Sequence, residues 1–222
     1  MDNQGPKTFP HPKLTHPSGV LAIGGALDKE SLLLAYHFGI FPWFNPGEPV
    51  LWWHPDPRCV IFPSQVKVSK SMRPYFNQGK YSVSYNTCFK NVIEACRDIY
   101  RPGQPGTWIS PEFIEAYTDL YEDGHVISVE VWNQEKELVG GLYGVKIANV
   151  FFGESMFSKS NNASKFGFIS LCRKLEEEGC HLVDCQIETP HLRTLGAQMI
   201  PREEFMRVLE ENRKDYLRQL LK

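Results

Sequence analysis

The stretch Asn149-Val-Phe-Phe-Gly-Glu-Ser-Met-Phe-Ser158 decides the fold, together with the two segments that follow it. Its apolar residues predict a buried strand, which we place at Ala148 to Glu154. An amphipathic segment at 162–179 is typical of a helix that ends at a glycine. A second apolar segment, His181 to Ile187, comes directly after that helix. A strand, a helix and a strand in this order favour a right-handed crossover between parallel strands.

Two more strands are predicted ahead of this crossover. Val126 to Trp132 and Leu138 to Val145 are largely apolar, and the polar turn at 133–135 separates them. Short turns between consecutive strands are typical of an antiparallel meander. With the crossover, the meander predicts an α+β fold built on a mixed sheet.

Length and composition set the expected domain organisation. The 222 residues are 42% hydrophobic, which suffices for one large domain or for one domain with a small companion. The first part is rich in proline and tryptophan, and Val60-Ile-Phe-Pro63 is interpreted as its end. We therefore predict a small N-terminal domain at residues 1–63 and a larger mixed-sheet domain at residues 64–222.

Cysteine usage and hydropathy indicate the compartment. The six cysteines show no paired spacing, and no Cys–His pattern has the spacing of a zinc site. Scattered cysteines of this kind are typical of a reducing environment. The N-terminus has no apolar signal core, and no apolar run approaches the roughly 18 residues of a membrane helix. We expect a cytoplasmic protein with no metal site and no membrane partner.

Three polar residues on the two crossover strands are the catalytic candidates. Strand alternation places Asp184 and Gln186 on one face, and adjacent strands would bring Glu154 beside them. No G-x-S-x-G elbow or Cys–His pairing supplies a nucleophile. Such a set suits the positioning of an incoming amine and the removal of its proton. The alternative is that Glu154 is a strand-end residue in a salt bridge.

Residues 40–58 are dense in aromatic residues and prolines, with tryptophans at 43, 52 and 53. We predict a rigid loop there rather than a regular element. Two interpretations stay open, a small core packed by tryptophans or a platform on which a flat ligand such as a base stacks.

Residues 64–101 carry seven basic and two acidic side chains, a local charge of +5 on a chain of net charge −2. Lys67, Lys70 and Arg73 are the candidates for contacts with RNA phosphates. A solvated helix face is the alternative interpretation of the same residues.

The meander, helix and parallel strand match the core of the acyl-coenzyme-A N-acetyltransferase (GNAT) fold. That fold cradles pyrophosphate with a glycine-rich loop at the start of the helix. Here the loop is Ser158-Lys-Ser-Asn-Asn-Ala-Ser164, which contains no glycine. Because close approach of backbone to phosphate favours small residues, this loop argues against a coenzyme-A donor.

Eight motifs, in order from about residue 18 to residue 210, closely resemble the bacterial leucyl/phenylalanyl-tRNA–protein transferases. The resemblance implies a small N-terminal domain and an acetyltransferase-like (GNAT-like) C-terminal domain. It implies transfer of leucine or phenylalanine from Leu-tRNA or Phe-tRNA to proteins with N-terminal Arg or Lys, which marks them for degradation. No cofactor is implied, since the aminoacyl ester is already activated. The motifs are Gly39-Ile-Phe-Pro-Trp-Phe44, Leu51-Trp-Trp-His-Pro-Asp-Pro-Arg58, Gly106-Thr-Trp-Ile109, Gly140-Gly-Leu-Tyr-Gly-Val145, Phe152-Gly-Glu-Ser-Met-Phe-Ser158, Asn162-Ala-Ser-Lys165, Val183-Asp-Cys-Gln186 and His191-Leu-Arg-Thr-Leu-Gly-Ala197.

The resemblance also implies roles for single residues. Asp184 and Gln186 resemble the pair that draws a proton from the attacking α-amine. Glu154 resembles the group that holds the cationic N-terminus of the acceptor. Two tryptophans resemble the residues that stack on the terminal adenosine of the tRNA, Trp43 and Trp108. Six residues resemble the pocket for the donated side chain, namely Leu142, Phe151, Met156, Phe168, Leu171 and Val183.

Three positions depart from the family's pattern. Leu171 stands where an aromatic residue is usual, Leu142 where methionine is common, and Phe152 where a smaller residue is often found. These departures bear on the preference among leucine, phenylalanine and methionine, not on the reaction. Two other classes of function stay open, a coenzyme-A-dependent N-acetyltransferase and a non-catalytic RNA-binding module.

Overall fold

The computed structural model describes residues 8–100 and 106–221, without the side chains of residues 219 and 220. The first seven residues of the predicted N-terminal domain and Arg101 of the basic segment lie outside this range. The strands are β1 Val20–Ile23, β2 Phe41–Pro42, β3 Leu51–Trp53, β4 Arg58–Ile61, β5 Ser82–Tyr85, β6 Val126–Trp132, β7 Leu138–Ile147, β8 Val150–Ser158, β9 Leu182–Gln186 and β10 Gln198–Ile200. The helices are α1 Lys29–His37, α2 Arg73–Asn77, α3 Phe89–Asp98, α4 Pro111–Glu122, α5 Ala163–Glu177, α6 Pro190–Thr194 and α7 Arg202–Leu220.

A seven-stranded mixed sheet organises the described residues, in the order β10-β4-β9-β8-β7-β6-β5. The strands β6, β7 and β8 form the predicted antiparallel meander. After α5 the chain returns as β9, which runs parallel to β8 with Phe151 opposite Val183 and Phe152 opposite Asp184. The prediction of an α+β fold with a mixed sheet is therefore confirmed, and so is the parallel pairing across the crossover.

Each face of this sheet is covered by its own hydrophobic core. One core joins the sheet to α1, α3, α4 and α7, through residues such as Tyr36, Tyr117 and Phe205. The other joins it to α5, through residues such as Phe168 and Leu171. Neighbouring strand residues divide between the cores, since Phe152 lies in the first and Phe151 in the second. This alternation sends Glu154 toward the side on which α1 and α4 pack.

The aromatic segment is more regular than predicted. Residues 41–42 and 51–53 form β2 and β3, which pair with β1 in a three-stranded antiparallel sheet. The prediction of a loop without regular elements was therefore wrong for these residues. Trp52 is fully buried, and its indole N–H donates to the carbonyl oxygen of Gly24 at 2.9 Å. That buried contact explains why this tryptophan-rich segment adopts a sheet instead of an open loop.

The larger sheet recruits a strand from ahead of residue 63. The strand β4 lies between β10 and β9, with Val60 opposite Asp184 and Ile61 opposite Val183. The larger sheet thus takes in residues from Arg58 onward, and β4 places that arginine on the strand directly beside β9. The strand β8 also extends beyond the predicted end at Glu154, because residues 155–158 continue to pair with β7.

Glycines in β7 allow close packing around this region. A Cβ atom at Gly144 would lie 2.1 Å from the carbonyl oxygen of Phe152 on β8. A Cβ atom at Gly140 would lie 2.6 Å from the Cβ of Ala163 at the start of α5. Both distances are shorter than van der Waals contact, so larger residues would push β8 or α5 away from the sheet.

Within the described ranges, no helix is both long and apolar enough to cross a membrane. The same residues contain no group of three or more His, Cys, Asp or Glu side chains placed to hold a metal ion.

Candidate active site

A cavity of about 970 Å³ opens beside the ends of β8 and β9. Its walls come from the segment after β2, from β7 and β8, from α5, and from the turn into α6. Its lining combines an aromatic group of residues, including Trp43, Trp108 and Phe168, with a polar side made of Glu154 and Gln186, whose side chains are hydrogen-bonded. A cavity with an apolar wall and a few convergent polar groups is the usual form of a small-molecule or peptide-end site.

Glu154 lies in the middle of β8 and is the centre of the polar side. Tyr36 of α1 donates to its Oε1 at 2.6 Å, and Tyr117 of α4 donates to its Oε2 at 3.0 Å. The side-chain amide of Gln186 donates to Oε1 at 3.1 Å. No ion pair to Glu154 within 4.0 Å occurs in the described part of the chain, which argues against the strand-end salt bridge.

Burial among apolar and aromatic residues raises the pKa of Glu154 to about 8. The negative charge of Asp184 raises this pKa further, while the hydrogen bonds from Tyr36, Tyr117 and Gln186 act in the opposite direction. Burial and the nearby carboxylate of Glu154 likewise raise the pKa of both tyrosines well above the ordinary value. A strongly shifted carboxyl in a cavity is typical of a functional site.

The shifted pKa predicts how stability depends on pH. In the unfolded chain Glu154 loses its proton near its ordinary pKa of 4.5, whereas in the folded chain it does so near 8. The folded state therefore binds more protons in this window, and the stabilising contribution is lost as pH rises from about 4.5 to 8. We expect Glu154→Gln, whose amide does not titrate, to gain stability relative to the natural chain by up to about 1.4 kcal/mol per pH unit. Urea denaturation from pH 5 to 8 measures the free energy of unfolding of both proteins. A difference between the two free energies that does not change with pH would contradict the prediction.

Asp184 is fully buried and is held by a fully buried partner, Arg58 of β4. The guanidinium donates to both carboxylate oxygens, from Nε to Oδ1 at 2.8 Å and from Nη2 to Oδ2 at 2.6 Å. Nη2 also donates to the carbonyl oxygen of Gly39 at 2.8 Å, and the rings of Phe41 and Phe205 flank the guanidinium. This bidentate geometry holds both carboxylate oxygens as hydrogen-bond acceptors of one guanidinium.

Gln186 connects Asp184 to the cavity. Its backbone N–H donates to Oδ1 of Asp184 at 2.9 Å, and its side chain reaches Glu154. Gln186 has φ +62°, a left-handed conformation that costs energy in a non-glycine residue. The hydrogen bond from the backbone N–H of Gln186 to Oδ1 of Asp184 stabilises that conformation. The predicted set of Glu154, Asp184 and Gln186 is thus brought together, with Glu154 and Gln186 on the cavity and Asp184 behind them.

The predicted substrate-binding residues divide into two groups. Five of them line the cavity, namely Trp43, Trp108, Leu142, Met156 and Phe168. The other three are fully buried in the core behind the cavity wall, namely Phe151, Leu171 and Val183. Trp43 is 42% exposed, which leaves its ring face available to a ligand, whereas Trp52 of the same segment is core. Trp52 therefore fits the interpretation as a packed core, whereas the stacking role of Trp43 stays a prediction.

The three candidate phosphate contacts, Lys67, Lys70 and Arg73, are all exposed. None of them forms an ion pair with the residues that the structure describes. Met72 between them is buried and anchors the segment, and the backbone N–H of Lys67 donates to Leu195 just after α6. The segment is therefore fixed near one end of the cavity with its charges in solvent.

Three residues that shape the site are absent from the set of sequence-predicted site residues. Tyr36 and Tyr117 occupy apolar positions of amphipathic helices, where a tyrosine is most often core, and only their hydroxyls reveal the role. Arg58 is the last residue of the motif that begins at Leu51. A buried arginine is expected only where a buried carboxylate pairs with it, and the sequence alone does not show that Asp184 is that partner.

The geometry can bind a cation and orient an amine. A carboxyl and an amide face an apolar pocket, and a buried aspartate fixes the backbone of the amide residue. Such a site suits a reaction in which the bound substrates supply both nucleophile and electrophile.

Comparison with known proteins gives a consistent family. The chain matches the family model described as leucyl/phenylalanyl-tRNA protein transferase over residues 60–210, and the model of its N-terminal domain over residues 25–56. A leucyl/phenylalanyl-tRNA–protein transferase of Christiangramia forsetii is 54% identical over 203 residues, covering 90% of this chain and 95% of that protein. The one from Flavobacterium johnsoniae is 55% identical over 202 residues, covering 91% and 95%.

Among solved structures, a GCN5-related N-acetyltransferase from Kribbella flavida shows 12% identity and a TM-score of 0.39, covering 76% of this chain and 60% of that one. The sequence relatives are far more similar, and they span nearly the whole chain. The chain belongs to the leucyl/phenylalanyl-tRNA–protein transferase family.

Proposed function

We propose that the cavity receives the aminoacylated end of a tRNA on its aromatic side and the N-terminus of an acceptor protein on its polar side. As a member of this family the chain is an aminoacyltransferase, which moves leucine or phenylalanine from tRNA to a protein. The observation that carries the proposal is the continuity of one cavity from Trp43 and Trp108 to Glu154 and Gln186. It accommodates both substrates next to one another, as a direct transfer requires.

We propose that the acceptors carry an N-terminal arginine or lysine. Glu154 supports this, since a partly buried carboxyl in a cavity wall attracts a cationic group more strongly than it would in water. Addition of leucine or phenylalanine would mark such proteins for degradation. Because the reaction needs aminoacyl-tRNA, we place it in the cytoplasm, and the six free cysteines agree with a reducing compartment.

In the proposed reaction the acceptor's neutral α-amine attacks the ester carbonyl and a C–N bond forms. The ester C–O bond breaks, and the departing 3′ oxygen of the tRNA takes up the proton that the amine loses, so it leaves as a hydroxyl. The ester is already activated, so the reaction needs no cofactor. Gln186 orients the amine and accepts its hydrogen bond, and Asp184 acts through Gln186 because its own carboxylate lies behind the cavity wall. Orientation of the reactants can supply up to roughly 7–11 kcal/mol of the barrier, and assisted proton removal adds about 10²–10⁴-fold.

The donated side chain is proposed to enter the apolar side of the cavity. Leu142, Met156 and Phe168 form its wall, and Phe151, Leu171 and Val183 form the rigid layer behind them. An apolar pocket distinguishes substrates by only about 1–3 kcal/mol per methylene. Leucine, phenylalanine and methionine are therefore accepted, whereas the β-branched valine and isoleucine are rejected by shape.

Trp43 and Trp108 are proposed to stack on the terminal adenosine. We expect Trp43→Ala and Trp108→Ala each to weaken aminoacyl-tRNA binding by about 1–3 kcal/mol, because base–aromatic stacking is lost. Trp43→Phe retains an aromatic face and should lose less. Filter binding of Phe-tRNA measures the effect, with Trp132→Phe on β6 as a control away from the cavity. Wild-type affinity in both alanine variants would contradict the stacking role.

Lys67, Lys70 and Arg73 are proposed to contact tRNA phosphates. Each contact releases counterions, so replacing all three with glutamine should flatten the slope of log affinity against log salt by about 0.7–0.9 per contact. The control is Lys136→Gln, an exposed lysine on the turn between β6 and β7. An unchanged slope in the triple variant would show that the tRNA follows another path.

The reaction is tested by incubating the protein with radiolabelled Leu-tRNA or Phe-tRNA and a peptide that begins with arginine. We expect label to appear in the peptide and not in the same peptide with an acetylated N-terminus. Acetyl-coenzyme A in place of aminoacyl-tRNA tests the N-acetyltransferase alternative. A protein that binds tRNA but transfers no label would be the non-catalytic RNA-binding module.

A further inference from the structure

Tyr36, Tyr117 and Glu154 form three mutual contacts, but the two tyrosine hydroxyls supply only two hydrogen-bonding protons. Tyr36 and Tyr117 each contact one oxygen of Glu154, and their hydroxyl groups also contact each other. Each phenol carries one hydrogen, so two phenols can donate only two hydrogen bonds. With Glu154 ionised, two lone pairs would face each other in the remaining contact.

One additional proton satisfies all three contacts. If Glu154 carries it, the bond between Tyr117 and Oε2 reverses its direction. Oε2–H then donates to Tyr117, Tyr117 donates to Tyr36, and Tyr36 donates to Oε1 in a closed ring. Each group then donates once and accepts once, with Gln186 as an additional donor to Oε1. We call Tyr36, Tyr117 and Glu154 the proton ring.

The surroundings of the proton ring favour the neutral acid. Tyr36 and Tyr117 are fully buried, and Tyr143 of β7 is a third buried phenol beside them. The negative charge of Asp184 on β9 raises the pKa of Glu154. Arg58 of β4 is engaged by Asp184 and forms no ion pair with Glu154. An isolated buried carboxylate is costly, and a proton removes that cost.

We infer that Glu154 rests as a neutral carboxylic acid within the proton ring and releases its proton to solvent when a cationic acceptor terminus binds. This inference rests on the proposed function, since it takes the acceptor to be the arriving cation. A positive charge within about 4–6 Å favours the ionised carboxyl, so acceptor binding and proton release are coupled. Tyr36 and Tyr117 are then positioning residues that keep the empty site free of an uncompensated charge.

Infrared spectroscopy tests the resting state directly, because protonated and ionised carboxyls absorb at different frequencies. At pH 7 we expect a protonated-carboxyl band that shifts on ¹³C-glutamate labelling, disappears in Glu154→Gln and persists in Glu203→Gln, which removes an exposed carboxyl on α7. Saturation with an arginine-initiated peptide should abolish the band. A band that is absent at rest, or that persists with peptide bound, would overturn the inference.

A binding measurement separates this inference from the proposed function and requires no variant. The probe is the same peptide with a hydroxyl in place of its α-amine, so that no amine titrates. Because the pKa of Glu154 is raised to about 8, the Kd of this probe should decrease about tenfold from pH 7 to pH 9. A Kd that does not change with pH would overturn the inferred proton release but would leave the proposed function intact. An arginine probe that binds no better than its norleucine counterpart would instead overturn selection of cationic acceptors.

Discussion

Replacing Asp184 with alanine is expected to lower the free energy of unfolding by about 3–5 kcal/mol. The carboxylate and its partner Arg58 are both fully buried, so the variant leaves a guanidinium without a counter-charge between Phe41 and Phe205. Transfer should fall by about 10²–10⁴-fold as well, because Gln186 loses the acceptor of its backbone N–H. Urea denaturation measures the first effect, and single-turnover transfer from Leu-tRNA measures the second.

A paired replacement separates stability from catalysis. Arg58→Met with Asp184→Leu removes both buried charges, and such replacements are often neutral or stabilising. We expect this double variant to regain stability and to bind tRNA, but not to regain transfer. Asp184→Asn, which keeps an oxygen for the N–H of Gln186, should retain more activity than the double variant. Full transfer by the double variant would show that Asp184 serves the fold alone.

The core of the fold was predictable because its signals are local. Hydrophobic periodicity locates β6, β7 and α5, and the order strand, helix, strand dictates that β9 returns parallel to β8. Pairings between distant segments carry no such signal. The insertion of β4 between β10 and β9 joins residues more than 120 positions apart, and no periodicity within 58–61 predicts it.

The same distinction applies to the site. Glu154 and Gln186 could be predicted to meet, because strand alternation and the crossover together bring them to one edge. The burial of Asp184 could not be predicted, since its partner Arg58 lies on β4, which is far from β9 in the sequence. Tyr36 and Tyr117 have the spacing of ordinary core residues, and only the packing of α1 against α4 directs both hydroxyls to one carboxyl.

The second large effect is expected for Glu154→Gln. This variant should bind the acceptor peptide poorly but should still bind the aminoacyl-tRNA. The amide fills the same space and retains contacts to Tyr36 and Tyr117, so the fold is preserved. The amide does not ionise, and the acceptor's cation then enters the cavity without a counter-charge. Losing one partner of such a pair costs about 2–5 kcal/mol, which lowers kcat/KM for an arginine-initiated peptide on the order of 30- to 5,000-fold.

Tests with both substrates establish whether this loss is specific. Binding of Phe-tRNA should remain within about twofold, since the stacking proposed for Trp43 and Trp108 does not require the charge of Glu154. Glu130→Gln is the matched control, because Glu130 is a buried carboxyl that is held by Ser84, Thr87 and Ser128 and does not line the cavity. It should keep the preference for arginine over norleucine peptides, which Glu154→Gln should abolish. Retention of that preference in Glu154→Gln would assign acceptor selection to another part of the cavity.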